Sequence, residues 1–162
     1  MYTPQHPMKK PASAATRRHV LASGAGLSAW VLLLPASATS DDLAAAVSAY
    51  AGGAAVRTGK VRLDIAELVD NGNVVPLTVT VDSPMTAGDH VRAIAVFNEK
   101  NPQREVAKFT LGPRYGKASV STRIRLATTQ KLTAVAQMSD GSFWSNTANV
   151  VVTLAACIEG ET

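Results

Sequence analysis

Apolar and polar side chains alternate strictly along Leu77-Thr78-Val79-Thr80-Val81 and again along Val120-Ser121-Thr122-Arg123-Ile124-Arg125-Leu126. A period of two places one face of a strand in a core and the other in water. Residues 60–66, 90–97, 104–111, 130–138 and 143–154 have the length and apolar content of further strands. Seven short strands at this spacing predict an all-β fold, an immunoglobulin-like antiparallel β-sandwich. Asn71-Gly72 lies between the first two strands and Asp140-Gly141 between the last two, and both pairs tolerate the positive φ of tight hairpins. Pro76 has no N–H to give to a ladder, so its strand is expected at a sheet edge or with a bulge there. One strand departs from the alternation. In Val91-Arg92-Ala93-Ile94-Ala95-Val96-Phe97 apolar side chains fall on both faces, which calls for cover on the outer side as well, from a second protein or from a packed helix.

A helix is available. Ser40-Asp41-Asp42 supplies an N-cap and first-turn acids ahead of Leu43-Ala44-Ala45-Ala46-Val47-Ser48-Ala49-Tyr50, and Gly52-Gly53 ends the run. Further upstream, Arg17-Arg18 precedes an uncharged stretch from Val20 to Leu34 and then Pro35-Ala36-Ser37-Ala38. Basic, apolar and small-residue regions in that order describe a secretory leader cleaved after Ala38. Its apolar run is about 15 residues, short of the roughly 20 that cross a bilayer core, so no membrane association is expected after cleavage. The adjacent arginines favour the twin-arginine route over an ordinary signal with a chance basic pair. The expected organisation is a leader over 1–38, a short helix and linker over 39–54, a sandwich domain over 55–154, and a mobile C-terminal tail over 155–162. Either export route makes the destination extracytoplasmic, and the periplasm is the expected one.

Charge then removes one class of function. The chain has 16 basic and 12 acidic residues, a net charge of +4. The leader holds four of the basic residues (Lys9, Lys10, Arg17, Arg18) and no acids, so residues 39–162 carry 12 of each. A neutral mature domain has no electrostatic basis for nucleic-acid binding.

Catalytic and metal chemistry are equally thin. Two of the three histidines, His6 and His19, leave with the leader, and one remaining His90 cannot make a zinc site of three or four ligands. His90 reads as a surface residue at a strand start. The acids are scattered, Asp64 and Glu67 being among the closest pairs, and there is no phosphate loop or nucleophile elbow. No metal, cofactor or catalytic residue is expected.

Cys157 is the single cysteine, just beyond Val150-Val151-Val152-Thr153-Leu154. In an oxidising compartment a lone thiol has no intrachain partner and is open to oxidation. Three readings stand. The thiol is a small apolar residue closing the last strand, or it forms an intermolecular disulfide and a redox-linked homodimer. The third makes it a tethered carrier that holds a substrate for other enzymes, on an arm of Ala155, Ala156, Ile158, Glu159 and Gly160. With a pKa near 8.5 only a few per cent is thiolate at neutral pH, so an external oxidant or enzyme has to drive any chemistry there.

Several short runs, taken in order, resemble a known family. They are Asp70-Asn71-Gly72-Asn73-Val74-Val75-Pro76, Asp82-Ser83-Pro84-Met85-Thr86, Lys100-Asn101-Pro102, Ser121-Thr122-Arg123-Ile124-Arg125-Leu126-Ala127 and Met138-Ser139-Asp140-Gly141, closed by the terminal cysteine. Over about residues 57–157 the chain resembles SoxY, the sulfur-carrier subunit of thiosulfate-oxidising Sox systems. The resemblance implies a heterodimer with a SoxZ-like β-sandwich that lacks its own export signal. It implies three further partners: a haem-containing c-type cytochrome that loads thiosulfate, a hydrolase that releases sulfate and a sulfane dehydrogenase. It makes Cys157 the covalent carrier atom, bearing a thiosulfonate or persulfide, and the chain a substrate of enzymes without catalysis of its own. In the family the cysteine sits in Gly-Gly-Cys-Gly-Gly, whereas here Ala155-Ala156-Cys157-Ile158-Glu159-Gly160 is stiffer, wider and more negative. That departure points to accommodating partner pockets or to a divergent carrier for another sulfur compound. A non-covalent periplasmic interaction module is the alternative of a different class.

Overall fold

The computed structural model describes residues 40–156. They form α1 (Ser40–Tyr50), β1 (Val56–Thr58), β2 (Val61–Ile65), β3 (Leu68–Val69), β4 (Val75–Val81), β5 (Val91–Asn98), β6 (Glu105–Thr110), β7 (Ser119–Ile124), β8 (Gln130–Met138) and β9 (Phe143–Val152). One sheet has the order β1-β9-β8-β5-β6, with β3 also on β9, and the other has the order β2-β4-β7. All seven expected strands are present in two sheets. β1 and β3 are additions, and both run parallel to β9, while the seven expected strands pair antiparallel. Their two or three residues are too few to show a period. They cover the two ends of the ten-residue β9, which would otherwise present a long open edge.

The alternation places the core as expected. Val75, Leu77, Val79 and Val81 of β4 point inward against Ile94 and Val96 of β5 and Leu132, Ala134 and Ala136 of β8. Thr78 and Thr80 face outward and bond Ser121 and Ser119 of β7 at 2.8 and 3.1 Å. Asn146 Nδ2 donates to the Val61 carbonyl at 3.0 Å and ties the sheets together. Pro76 sits in the middle strand of the small sheet, not at its edge. Yet β2 ends opposite Leu77, so at Pro76 the strand has only β7 beside it, through Arg123, and the missing N–H is tolerated.

The two-faced strand β5 is covered on its outer side by α1. Ala95 and Phe97 pack with Val135 and Phe143 against Leu43, Ala51, Ala46, Val47 and Tyr50, an apolar stripe at helical spacing. Of the two covers expected from sequence, the helix is the one found. It stops in a Schellman turn: Gly53 N donates to Ser48 O at 3.0 Å and Gly52 N to Ala49 O at 3.1 Å. Both glycines take positive φ, +62° and +80°. At the β8–β9 turn only Gly141 takes positive φ (+84°), and Met138 N donates to Ser142 O at 2.9 Å. The tight hairpin expected at Asp140-Gly141 is present, with a three-residue loop. Ser142 donates from both N and Oγ to Asp140 Oδ1, which holds that carboxyl below its ordinary range.

Tyr50 meets Phe97 and Phe143 edge-on at 5.4 and 5.9 Å, but its buried hydroxyl finds no hydrogen-bond partner among the described residues. Burial, and then the nearby Glu105 charge, raise its pKa above the ordinary 10.0. Tyr50→Phe keeps both ring contacts and removes the orphaned group, so it is expected to stabilise the fold by about 1 kcal/mol. Because the folded-state pKa is raised, the neutral phenol's contribution is complete below pH 10 and is lost as pH rises through the raised value. Thermal melts of both forms at neutral and alkaline pH check this: the gap widens with pH if the account holds, and a less stable variant contradicts it.

Candidate functional site

Cys157 lies outside the described residues, as do Ile158, Glu159 and Gly160 of the expected arm and Arg17 and Arg18 of the leader. What the structure does describe is the surface from which residue 157 continues. Ala155 is exposed there, while Ala156 is buried at 6% exposure. The chain beyond β9 is stitched down at Thr153, Leu154 and Ala156. Thr153 N donates to Val69 O at 3.0 Å, and its Oγ1 donates to Asp70 O at 3.1 Å. Leu154 O accepts from Gly72 N at 2.8 Å, and Ala156 N donates to Leu126 O at 3.2 Å. Sequence placed the start of a free arm at Ala155. Among the described residues, the backbone bonds extend the anchored chain to Ala156.

Gly72 is the centre of this clamp. Its N–H holds Leu154 and its carbonyl accepts from Leu126 N at 2.8 Å, while Leu126 in turn holds Ala156. A Cβ at position 72 would stand 2.3 Å from Leu126 O, 3.0 Å from Ala156 N and 3.1 Å from Val152 Cγ1. Gly72 is not among the glycines with positive φ. Its requirement is close backbone approach, which corrects the hairpin reading of Asn71-Gly72. Beside it Asn71 Oδ1 accepts from Asn73 N at 2.9 Å and closes a local Asx turn.

A buried amide network fixes the partner segment 125–127. Asn98, fully buried at the end of β5, donates to Gln103 O and Arg104 O at 2.6 and 3.0 Å and accepts from Asn101 N at 2.8 Å. Asn101 Oδ1 accepts from Ala127 N at 3.0 Å and from Gln130 Nε2 at 2.8 Å, and its Nδ2 donates to Arg125 O at 2.8 Å. Gln130 Oε1 accepts from Lys100 N at 2.8 Å. Each polar group paired here would carry a desolvation cost if left alone, so the network positions Leu126, and through it Ala156, with little freedom. Sequence reasoning gave Asn98, Asn101 and Gln130 no role. The signal was an Asn closing an otherwise apolar strand and the Lys100-Asn101-Pro102 run just after it.

The other sequence candidates stand elsewhere. His90 precedes β5 at the end opposite Asn98, partly exposed, with Nδ1 3.1 Å from Thr86 O. Asp64 and Glu67 occupy exposed positions. Among the described residues no three His, Cys, Asp or Glu side chains stand together to hold a metal ion. An open groove lined by Lys60, Arg62, Asp82 and Lys117 sits where β2 begins and β4 ends, at the far end of the small sheet from the clamp.

Residues 47–157 match the family model of the sulfur oxidation protein SoxY. No curated protein matches the chain at a significant level. Among solved structures, the sulfur carrier protein SoxY from Chlorobium limicola f thiosulfatophilum is 30% identical, with a TM-score of 0.60 over 72% of this chain and 100% of that one. The superoxide reductase (neelaredoxin) of Ignicoccus hospitalis superposes with a TM-score of 0.54 at 16% identity, over 60% of this chain and 94% of that one. The superoxide reductase of Nanoarchaeum equitans does so with a TM-score of 0.50 at 13% identity, over 59% and 100%. The two reductases share the fold alone.

Proposed function

The chain belongs to the SoxY family, and we propose that it is a covalent sulfur carrier of a Sox-type thiosulfate-oxidising system, with Cys157 as the atom that bears the sulfur. The observation that carries the reading is positional. The family match runs through residue 157, which is the chain's single cysteine, and the residue before it, Ala156, is held by its N–H to the Leu126 carbonyl. On this reading the sandwich provides a fixed base one residue before the thiol.

On this reading the twin-arginine leader with Arg17 and Arg18 takes the protein to the periplasm together with a SoxZ-like subunit. There a haem-containing c-type cytochrome loads the carrier. The Cys157 sulfur bonds to the outer sulfur of thiosulfate, the thiol proton is released, and two electrons pass to the haem partner. Water, brought to the adduct by a hydrolase, then cleaves the bond between that sulfur and the sulfonate group. Sulfate leaves and a persulfide stays on Cys157 for a sulfane dehydrogenase. The chain is the substrate throughout and supplies no acid, base or metal. Its contribution is to present the thiol to the enzymes that act on it.

Intact-mass spectrometry of the heterodimer from thiosulfate-oxidising cells tests this. Thiosulfonate and persulfide adducts confined to the Cys157 peptide are the expected result. A bare thiol throughout active oxidation would instead point to the non-covalent interaction module. The alanines, Ile158 and Glu159 in place of glycines favour one variant reading, a carrier for another sulfur compound, which predicts an adduct of different mass on the same cysteine.

A further inference from the structure

Five large apolar side chains stand out in water among the described residues, between 48% and 65% exposed: Leu68, Val74, Tyr115, Val151 and Leu154. Four of them border the base of the tail. Leu68 and Val151 are register partners of the β3–β9 pair, and Val151 N donates to Glu67 O at 2.7 Å beside them. Leu154 is held by Gly72, and Val74 follows Gly72 by two residues. Scattered single apolar residues on a surface need no explanation, but four on segments that meet at the clamp do.

The length of the tether explains them. Cα of Cys157 follows the anchored Ala156 by about 3.8 Å, and its side chain adds roughly 3 Å, so the sulfur stays within about 7 Å of a fixed point. An enzyme whose reacting atoms reach that sulfur must bring the mouth of its active site down onto the clamp. The groups it meets first are those bordering Ala156. We infer that Leu68, Val74, Val151 and Leu154 form a transient docking surface for the enzymes that act on the group carried by Cys157, with the apolar rim of an enzyme's active-site mouth as occupant. The inference rests on Cys157 being the carrier atom. A permanently seated subunit is a poor occupant, since it would crowd the side from which an enzyme must reach a sulfur tethered so close to Ala156. Four side chains suit a small interface that forms and releases in each cycle, apolar at its centre.

The test uses the heterodimer with the cytochrome that loads it. Leu154→Asp and Leu68→Asp are compared with wild type and with Tyr115→Asp, an equally exposed apolar residue preceding β7, away from the clamp. Second-order loading by the cytochrome is expected to fall about tenfold or more in the first two variants and to hold in the third. Melting temperature, pairing with the SoxZ-like subunit and the rate at which a small disulfide reagent modifies Cys157 are expected to stay as in wild type. Unchanged loading overturns the inference. Loss of subunit pairing also overturns it, assigning the surface to the permanent interface, and a shift from dimer to monomer in the isolated chain assigns it to self-association. Should Leu68→Asp fail to fold, Leu154→Ser carries the comparison. Failure of the carrier reading is separable: there the wild type itself never acquires an adduct, whereas here wild type and variants load alike.

Discussion

Gly72→Ala is expected to detach the root of the C-terminal tail and to lower the stability of the domain by about 3 kcal/mol, or roughly 10 °C in melting temperature. The added Cβ would lie 2.3 Å from the Leu126 carbonyl oxygen and 3.0 Å from the Ala156 nitrogen. Both obstacles are backbone, so neither can turn aside as a flexible side chain would. Leu126 is fully buried and its neighbours are held by Asn101, so the segment that can yield is the one carrying Ala156. Loss of amide-exchange protection at Ala156 and Leu126, with new proteolysis after Thr153, is the signature of that release. If the melting temperature and both protected amides are unchanged, Gly72 is not the clamp described here. Loading of Cys157 should fall as well, because a released tail no longer presents the thiol at a fixed distance from the docking surface.

Cys157→Ser is expected to do the converse, removing the chemistry and leaving the fold. A serine hydroxyl cannot form the sulfur–sulfur bond that two-electron oxidation makes with thiosulfate. Thiosulfate-dependent electron delivery to the haem partner should therefore drop to background, and no adduct should appear on the chain. The melting temperature should match wild type, since the anchoring bonds among the described residues are made by residues 69, 70, 72, 126 and 153–156. Turnover at the wild-type rate would discard covalent carriage and favour a non-covalent module. The contrast between the two variants is informative in itself: one alters a site by loosening its base, the other by deleting its reacting atom.

The strands of this protein are legible because burial imposes a period on each of them locally. The alternation at 77–81 and 120–126 maps onto inward and outward faces, and the two-faced apolar run at 91–97 announces a covered sheet. The Gly52-Gly53 pair marks a helix end where positive φ is required. The lone cysteine at the far end of the family match could likewise be picked out from residue types alone. Each of these rests on interactions between near neighbours or on the presence of one distinctive atom.

Other features arise from atoms distant along the chain, and no local pattern encodes them. β1 and β3 are strands because β9 has edges to cover, and their own two or three residues carry no preference. Pro76 fits a middle strand because β2 stops one residue short of it. Asn98, Asn101 and Gln130 read as ordinary polar residues until the fold joins the end of β5 to the segment after β7. Gly72 looks like a turn residue by its neighbour Asn71, yet the space denied to a side chain there is filled by Leu126 and Ala156. Residue order alone was enough for the strand faces and the helix, and it singles out one cysteine. That Ala156 is held to Leu126 and Leu154 to Gly72 was decided only when separate segments closed on one another, since a backbone clamp exists only once all of its donors and acceptors share one place.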